Sequence, residues 1–301
     1  MRNPLSAIPA SLRGIVLMLI STLFFTGMQV LARHVAEELH PFEVAFFRNF
    51  FGLVVLAPIA ARAGLSALRT KRLHVHAARS VLQTAGMLTF FTALTLAPLA
   101  QIVTLSFTAP LFAAVGAVWF LHERAGAKRM LALLAGFAGA LIVIRPGFAE
   151  VNIGSLLVIG SSFVWAGSML LIKVLGRTDS TVTTTLYMGL FMVPLSLGPA
   201  LFFWQWPAPE AWAWLALIGA FGAGGHLALA QALKEEDTTR IVPVDFTRLL
   251  WAALLGFIVF GEIPDVWTWV GGAVIFAAIT LVALQDRGRD ADRPSTNVVG
   301  A

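Results

Sequence analysis

The chain has 301 residues, of which 58% are hydrophobic and only 12% are Asp, Glu, Lys or Arg. So few charged side chains cannot give this much apolar surface a polar exterior, so the composition excludes a water-soluble fold and makes the lipid bilayer the solvent. The absence of cysteine excludes disulfides, thiolate catalysis and cysteine-ligated metal sites. The net charge of +5 comes from scattered residues without a basic stripe, which argues against a nucleic-acid partner.

Ten apolar segments follow one another along the chain, each about 18 to 23 residues long. Helices of that length rise about 1.5 Å per residue and so cross a hydrocarbon core about 30 Å thick. The fold class predicted is therefore all-α and integral to the membrane. The ten predicted transmembrane helices are residues 12–32, 42–61, 77–96, 99–121, 128–145, 154–173, 182–203, 211–233, 240–260 and 265–284.

The positive charges indicate an orientation. If the amino terminus is cytoplasmic, 17 of the 21 Lys and Arg residues fall in cytoplasmic segments, whereas only Arg33 and Arg145 fall outside and Arg48 and Arg248 lie within spans. This bias predicts that both termini are cytoplasmic and that the protein is a multi-pass protein of the inner (plasma) membrane.

The two halves of the sequence match each other. A shift of 139 residues places Ile102 on Ile241, Phe107 on Phe246, Thr108 on Thr247 and Glu123 on Glu262, and a shift of 140 places Gly27 on Gly167 and Arg33 on Lys173. Each half holds five spans, an odd number, so the second half enters the membrane from the opposite side. The sequence thus predicts two inverted five-helix repeats, which are typical of secondary transporters. The predicted units are residues 1–150, 151–285 and a disordered cytoplasmic tail, 286–301.

Several motifs carry a family resemblance: Pro41 through Arg48, Thr108-Ala109-Pro110, Trp119 through Glu123, Gly136 through Gly147, Trp165-Ala166-Gly167 and Phe260-Gly261-Glu262. On these residues the chain resembles the EamA branch of the drug/metabolite transporter superfamily, and within it the YddG-type amino-acid exporters. The resemblance implies a central cavity among the first, third, fourth, sixth, eighth and ninth spans, with the fifth and tenth peripheral.

Ionisable residues inside the spans are the first candidates for a binding site, because a buried charge is costly unless it is paired or faces water. Asp245 and Arg248 lie three residues apart on one helix face, so they form either a structural ion pair or two opposite poles for a zwitterionic substrate. Asp245 is also a candidate proton carrier. His226 follows a run of small residues and either borders the cavity or makes an interhelical hydrogen bond.

Polar and aromatic residues of the same spans complete the predicted pocket, which suits a small amphiphilic molecule. Phe107 and Phe246 predict either a paired gate or core packing, and Pro110 and Pro243 predict either a break in each of their helices or a plain packing kink. Glu262 is expected to cap the helix that follows it. The predicted substrate-binding residues are Gln83, Phe107, Ser161, Trp165, His226, Asp245, Phe246 and Arg248, and no metal or cofactor is predicted.

These patterns predict a secondary-active or facilitative transporter that exports small amphiphilic metabolites by alternating access, foremost amino acids including aromatic ones. The expected partners are the small-molecule substrate, the bilayer and protons as a candidate coupling ion. Carriage of another metabolite or drug, such as a nucleoside-like or cationic compound, is an alternative, and a channel is another. The sequence lacks a phosphate-binding loop, a nucleophile elbow and a zinc-protease helix, which argues against an enzyme.

Overall fold

The computed structural model describes residues 10–63, 69–120, 126–148, 150–176, 178–235 and 238–291. These residues form twelve helices, which correspond to ten membrane passes because two passes are broken. The helices are α1 (Ala10–Val35), α2 (Pro41–Ala63), α3 (Leu73–Leu94), α4 (Leu99–Ser106), α5 (Thr108–Phe120), α6 (Ala127–Ile144), α7 (Ile153–Leu175), α8 (Thr181–Leu201), α9 (Ala211–Glu235), α10 (Thr238–Asp245), α11 (Thr247–Phe260) and α12 (Val266–Ala291).

Nine of the passes are long and apolar enough to cross a membrane, with α4–α5 counted as one pass and α10–α11 as another. The tenth is α3, which has 22 residues but carries Arg79 and Gln83 and is therefore less apolar. The predicted all-α fold with ten transmembrane passes is confirmed.

The two broken passes break at equivalent residues. Phe107 separates α4 from α5, and Phe246 separates α10 from α11. The hydrogen bonds at the two breaks also match, because Thr108 Oγ1 donates to the Leu105 carbonyl at 2.7 Å and Thr247 Oγ1 donates to the Val244 carbonyl at 2.8 Å. At each break, the threonine hydroxyl supplies a hydrogen bond to a backbone carbonyl near the end of the preceding helix.

The prolines predicted to cause the breaks lie close to them. Pro110 is three residues after Phe107, and Pro243 is three residues before Phe246. A proline has no N–H to offer the carbonyl four residues earlier, which for Pro110 is the carbonyl of Ser106, the last residue of α4. The sequence thus predicted a break in both passes, and in each pass the break lies at the phenylalanine, Phe107 or Phe246.

Repeat-related helices run antiparallel to each other, which demonstrates the inversion. In the pair α6 and α12, an added Cβ on Gly136 would lie 3.1 Å from Ala278, and one on Gly271 would lie 2.5 Å from both the Gly139 carbonyl oxygen and Val143. Later residues of α6 therefore meet earlier residues of α12. The two backbones approach so closely that only glycine fits at Gly139 and Gly271. Neither helix lines the central cavity, in keeping with the peripheral position expected for both.

The cavity walls are built from two further antiparallel pairs. In α1 and α9, Ser21 Oγ donates to the Gly225 carbonyl at 2.9 Å near one end, whereas His34 contacts Trp214 near the other. The repeat-related pair is α7 and α3, in which an added Cβ on Gly86 would lie 2.6 Å from the Trp165 indole. We call the end of the bundle at which α1 begins and α9 ends the Lys234 end, and the opposite end the Glu262 end.

Charged side chains hold the Glu262 end together. Arg33 at the end of α1 forms a 2.6 Å ion pair with Glu262, whose second oxygen, Oε2, accepts a hydrogen bond at 2.8 Å from the Leu99 backbone N–H. Glu262 therefore caps α4 rather than the helix that follows it, because Asp265 already accepts the Thr268 N–H at the start of α12. One carboxylate thus joins α1, α4 and the end of α11.

The carboxy-terminal helix is longer than predicted. The sequence placed the start of a disordered tail at Asp286, whereas α12 continues to Ala291. Pro294 is the first residue after the tenth span that cannot continue a helix, which accounts for the extension. Residues 292–301 of the predicted tail lie outside the described residues.

Candidate functional site

A cavity of about 670 Å³ lies between the two halves of the bundle. It is lined on α1 by Phe25, Met28 and Gln29, on α2 by Arg48 and Leu56, on α3 by Arg79, Gln83, Met87, Phe90 and Phe91, on α4 by Ser106, on α7 by Trp165, Met169 and Ile172, on α8 by Thr185 and Met188, on α9 by His226, Leu227, Leu229, Ala230, Leu233 and Lys234, and on α10 and α11 by Asp245 and Arg248. The family resemblance implied six of these passes, and α2 and α8 also contribute.

The cavity opens toward the Lys234 end. Its lining continues along α9 to the exposed side chain of Lys234 and along α7 to the exposed side chain of Ile172. At the other end, the Arg33–Glu262 ion pair and the contact between α4 and α11 close the bundle. A cavity reaching one end and closed at the other is the geometry of one state of an alternating-access carrier.

The structure brings five of the eight predicted site residues to this cavity: Gln83, Trp165, His226, Asp245 and Arg248. The other three lie elsewhere. Ser161 is fully buried and donates its hydroxyl to the Val158 carbonyl of its own helix. Phe107 and Phe246 stack on each other at the helix breaks, and Phe107 is only 4% exposed, which favours core packing over a gate.

Asp245 and Arg248 lie on the same side of their broken pass. They form an ion pair with each other, and both line the cavity. The Arg248 guanidinium also lies over two aromatic rings, 5.0 Å from the centre of Phe107 and 5.9 Å from that of Phe25. This cation is therefore held by a carboxylate and two ring faces at once.

His226 hydrogen-bonds to an arginine on another helix. Its Nε2 lies 3.2 Å from one amino group of Arg48. The other amino group of Arg48 donates to Asn49 Oδ1 at 2.9 Å. Gly222, one turn before His226, leaves room for the side chain of Arg48, because a Cβ added at Gly222 would lie 3.0 Å from Arg48 Nε. The small residues before His226 thus make space for a cation beside the cavity.

The α3 side of the cavity combines an amide with an indole. Gln83 accepts a hydrogen bond on its side-chain oxygen from Ser168 at 3.0 Å, and its backbone carbonyl accepts one from Trp165 Nε1 at 3.4 Å. The Trp165 ring packs against Phe90 with centroids 5.2 Å apart. Gln83 and Trp165, which were predicted separately on two spans, form one wall.

The predicted set of binding residues did not include Arg79, Arg48 and Gln29, which also line the cavity. Arg79 is 7% exposed, donates to the Thr184 carbonyl at 3.0 Å and lies four residues before Gln83 on the same helix face. This four-residue spacing was the signal in the sequence that could have identified it. Gln29 is 6% exposed, and its side-chain oxygen has no hydrogen-bond partner among the described residues.

Positive charge predominates around the cavity. The described lining residues include four cations, Arg48, Arg79, Lys234 and Arg248, against one carboxylate, Asp245. Because Asp245 is paired with Arg248, the other three cations face the cavity without a carboxylate among its described lining residues. The site therefore attracts anions and hydrogen-bond acceptors and repels cations.

A polar cluster joins α3 to the α7–α8 connection at the Lys234 end. The Asp179 carboxylate accepts hydrogen bonds from Thr70 Oγ1 at 2.6 Å and from His76 Nε2 at 2.7 Å. The hydrogen bond from Thr70, followed by that from His76, holds the pKa of Asp179 below its usual value, because both favour the charged form.

The comparison with protein families agrees with this architecture. The sequence model of the EamA-like transporter family matches the chain twice, at residues 12–145 and 152–284. The chain belongs to this family, within the drug/metabolite transporter superfamily. It is accordingly a multi-pass membrane transporter of small metabolites, and the family resemblance seen in the sequence is confirmed.

Individual relatives of this EamA chain carry different substrate names. A riboflavin transporter of Vibrio cholerae is 33% identical over 277 residues, covering 90% of this chain and 93% of the relative. An S-adenosylmethionine uptake transporter of Rickettsia prowazekii is 31% identical over 275 residues, covering 91% and 93%. A solved crystal structure covers 92% of this chain and 98% of its own with a TM-score of 0.62, and at 21% identity it shows the fold alone.

Proposed function

We propose that this EamA carrier transports uncharged or anionic metabolites that contain a flat aromatic ring system, of the size and chemistry of riboflavin. The observation that carries the proposal is the composition of the cavity, which pairs the aromatic wall of Trp165 and Phe90 with an excess of cations. Aromatic side chains bind flat rings by stacking, and arginine also packs on such rings. The volume of about 670 Å³ lies within the range of small-molecule sites, roughly 300–1,000 Å³.

The charge of the cavity separates riboflavin from S-adenosylmethionine, the substrates named for the two relatives. S-adenosylmethionine carries a sulfonium and an ammonium group against one carboxylate, so its net charge is positive. The only carboxylate among the described lining residues, Asp245, is already paired with Arg248. A cation would therefore enter a cavity whose other charges repel it, whereas riboflavin is uncharged and rich in acceptor atoms.

Export of amino acids, the function predicted from the sequence, is the second candidate. The observation that favours it is that Asp245 and Arg248 both line the cavity and would offer opposite poles to a zwitterion. Against it, the two groups bind each other, so a substrate would have to separate them. Neither of the two relatives is named for a free amino acid.

The transport cycle that we propose is alternating access between the two inverted repeats, residues 1–150 and 151–285. If the protein lies in the inner membrane with its amino terminus on the cytoplasmic side, the Lys234 end faces the cytoplasm and the cavity is in its inward-open state. Arg33 and Glu262 then close the outer side. Protons are the candidate coupling ion, with Asp245 as their carrier.

Counterflow in proteoliposomes tests the substrate. Vesicles that contain the purified carrier are loaded with unlabelled compound and offered labelled riboflavin, S-adenosylmethionine or tryptophan, with and without a pH gradient. We expect saturable, trans-stimulated exchange of riboflavin and little exchange of S-adenosylmethionine. Exchange of S-adenosylmethionine in preference to riboflavin would contradict the charge argument, exchange of tryptophan alone would favour the second candidate, and unsaturable flux would indicate a channel.

A further inference from the structure

The α3 wall of the cavity presents hydrogen-bond donors to the substrate. We call Arg79 and Gln83, four residues apart on one face of α3, the donor pair. Side chains at this spacing are neighbours on a helix, with Cβ atoms about 5–6 Å apart. Both residues line the cavity, and Trp165 lies beside them.

The orientation of the Gln83 amide is set by its neighbours. Its oxygen Oε1 accepts the Ser168 hydroxyl at 3.0 Å, and its backbone carbonyl accepts the Trp165 indole N–H at 3.4 Å. Because Oε1 is directed to Ser168, the side-chain NH₂ is a donor group that this glutamine can offer to a ligand.

Arg79 is a buried cation with an unused donor. One amino group donates to the Thr184 carbonyl and the other contacts Met188 Sδ at 3.3 Å, while Nε has no hydrogen-bond partner among the described residues. No carboxylate of the described residues pairs with it, although it is only 7% exposed. A guanidinium has five N–H donors, and each amino group of Arg79 makes only one of the contacts just described. An acceptor that the substrate supplies to these amino groups would therefore lower the free energy of the bound state.

From this geometry we infer that the donor pair binds two acceptor atoms on one edge of the substrate ring, while Trp165 stacks on the ring. The chemistry that fits is a ring dione of the pyrimidinedione type, in which two carbonyl oxygens flank a ring N–H on one edge and both accept hydrogen bonds. Arg79 and Gln83 are then specificity-determining residues, because they donate hydrogen bonds to the ring carbonyls. This inference rests on the proposed function and adds the substrate edge that is recognised.

The first test changes the ligand and leaves the wild-type carrier intact. Affinity is measured by isothermal titration for riboflavin, 2-thioriboflavin and 4-thioriboflavin. Each analogue replaces one carbonyl oxygen by sulfur, which is a weak acceptor. We expect each replacement to weaken binding by roughly tenfold or more, the size of a lost hydrogen bond to a charged or buried donor. Equal affinity for all three compounds would overturn the inference.

The second test reverses the chemistry of one donor. Gln83→Glu keeps the shape of the side chain but replaces the NH₂ donor by a carboxylate oxygen. Gln101→Glu is the matched control, because Gln101 also pairs with a serine of α7, donating to Ser155 at 3.1 Å, but does not line the cavity. We expect a large loss of riboflavin affinity in the first variant and wild-type affinity in the second.

The outcomes separate this inference from the proposed function. If the wild-type carrier shows no saturable binding of riboflavin, the proposed function and the donor pair both fall. If the wild type binds riboflavin and Gln83→Glu binds it equally well, the donor pair alone is wrong. If Gln83→Glu fails to fold, as judged by size-exclusion chromatography, the comparison of thio analogues on the wild type decides.

Discussion

The rings of Phe107 and Phe246 stack on each other with their centroids 4.3 Å apart and their planes 16° from parallel. The two residues are equivalent in the two repeats, and each lies at the break of its own helix. The pair therefore lies on the pseudo-two-fold axis. An exchange of conformations between the repeats turns each ring into the other, so their mutual distance is the same before and after the exchange.

We predict that this stack acts as a fixed pivot. With Phe107→Cys and Phe246→Cys in the otherwise cysteine-free chain, a short bifunctional thiol reagent should join the two positions without stopping transport. The measurement is riboflavin counterflow before and after cross-linking, with the extent of cross-linking determined by mass spectrometry. Complete loss of counterflow upon cross-linking would show that the two positions must separate during the cycle.

The Glu262 end should behave in the opposite way. Arg33 and Glu262 come from α1 and the end of α11. In the proposed cycle this end opens when the cavity faces the other side. We expect the same reagent, applied to Arg33→Cys with Glu262→Cys, to abolish counterflow, and cleavage of the link to restore it. The Phe107 and Phe246 pair is the control for damage by the reagent. Undiminished transport in the cross-linked Arg33 and Glu262 variant would contradict a gate at this end.

The sequence predicted the fold better than it predicted the site. Ten spans could be predicted because the thickness of the bilayer sets the length of a spanning helix. The inversion could be predicted because the repeat in the sequence holds five spans, an odd number, so the second half enters the membrane from the opposite side. Arg79 was missed because the predicted third span began at residue 77, which placed this cation at the cytoplasmic boundary. In the structure α3 begins at Leu73, and Arg79 lies almost two turns inside it.

Ser161 and Trp165 show why the lining of the cavity was only partly predictable. Both are on α7, whose serines Ser155, Ser161, Ser162 and Ser168 are all buried. A polar residue on this helix therefore does not by itself indicate whether it meets the cavity or a neighbouring helix. Trp165 faces the cavity because Gly86 of α3 leaves room for its ring. Ser161 instead donates its hydroxyl to the backbone carbonyl of Val158 on the same helix. Whether a side chain of α7 meets the cavity depends on its contacts with neighbouring helices. The sequence of one span does not show those contacts.

Gly86 should be required for the position of the indole. A methyl group there would lie 2.6 Å from Trp165 Cδ1, so Gly86→Ala forces the ring to move. We expect the variant to lose about 1–3 kcal/mol of stability, as for other overpacked sites, and to bind riboflavin more weakly. Thermal unfolding in detergent and fluorescence titration measure the two effects.

Gly160→Ala on α7 is the matched control, since an added Cβ there meets nothing within 4 Å. Its melting temperature and its affinity should equal or slightly exceed those of the wild type, because alanine favours a helix more than glycine does. A similar loss in both variants would mean that any added methyl group destabilises the bundle and that the fit of Trp165 is not the cause.

The polar cluster at the Lys234 end predicts a pH dependence of stability. Because the folded-state pKa of Asp179 is lowered, its hydrogen bonds stabilise the fold above the ordinary pKa of an aspartate. This contribution is lost as the pH falls through the lowered value. Asp179→Asn should therefore lower the melting temperature at neutral pH, and the difference from the wild type should shrink in acid. A difference that stays constant from neutral to strongly acidic pH would contradict the role of the carboxylate.

We predict that the ion pair between Asp245 and Arg248 sets the charge preference of the cavity. Asp245→Asn removes the only described carboxylate of the lining and leaves Arg248 with its aromatic contacts to Phe107 and Phe25. The added positive charge should improve the binding of an anion more than that of a neutral molecule. We expect the ratio of KM for riboflavin phosphate to KM for riboflavin to fall in this variant, and to fall less at high salt because ions screen the charge.

The same variant tests whether Asp245 carries protons. If it does, a pH gradient that drives riboflavin accumulation in vesicles with the wild-type carrier should fail to do so with Asp245→Asn, while counterflow without a gradient continues. The neutral amide cannot bind and release a proton in this range, so coupling would be lost although the pocket remains. Gradient-driven accumulation equal to that of the wild type would remove Asp245 from proton coupling and leave its role as the partner of Arg248.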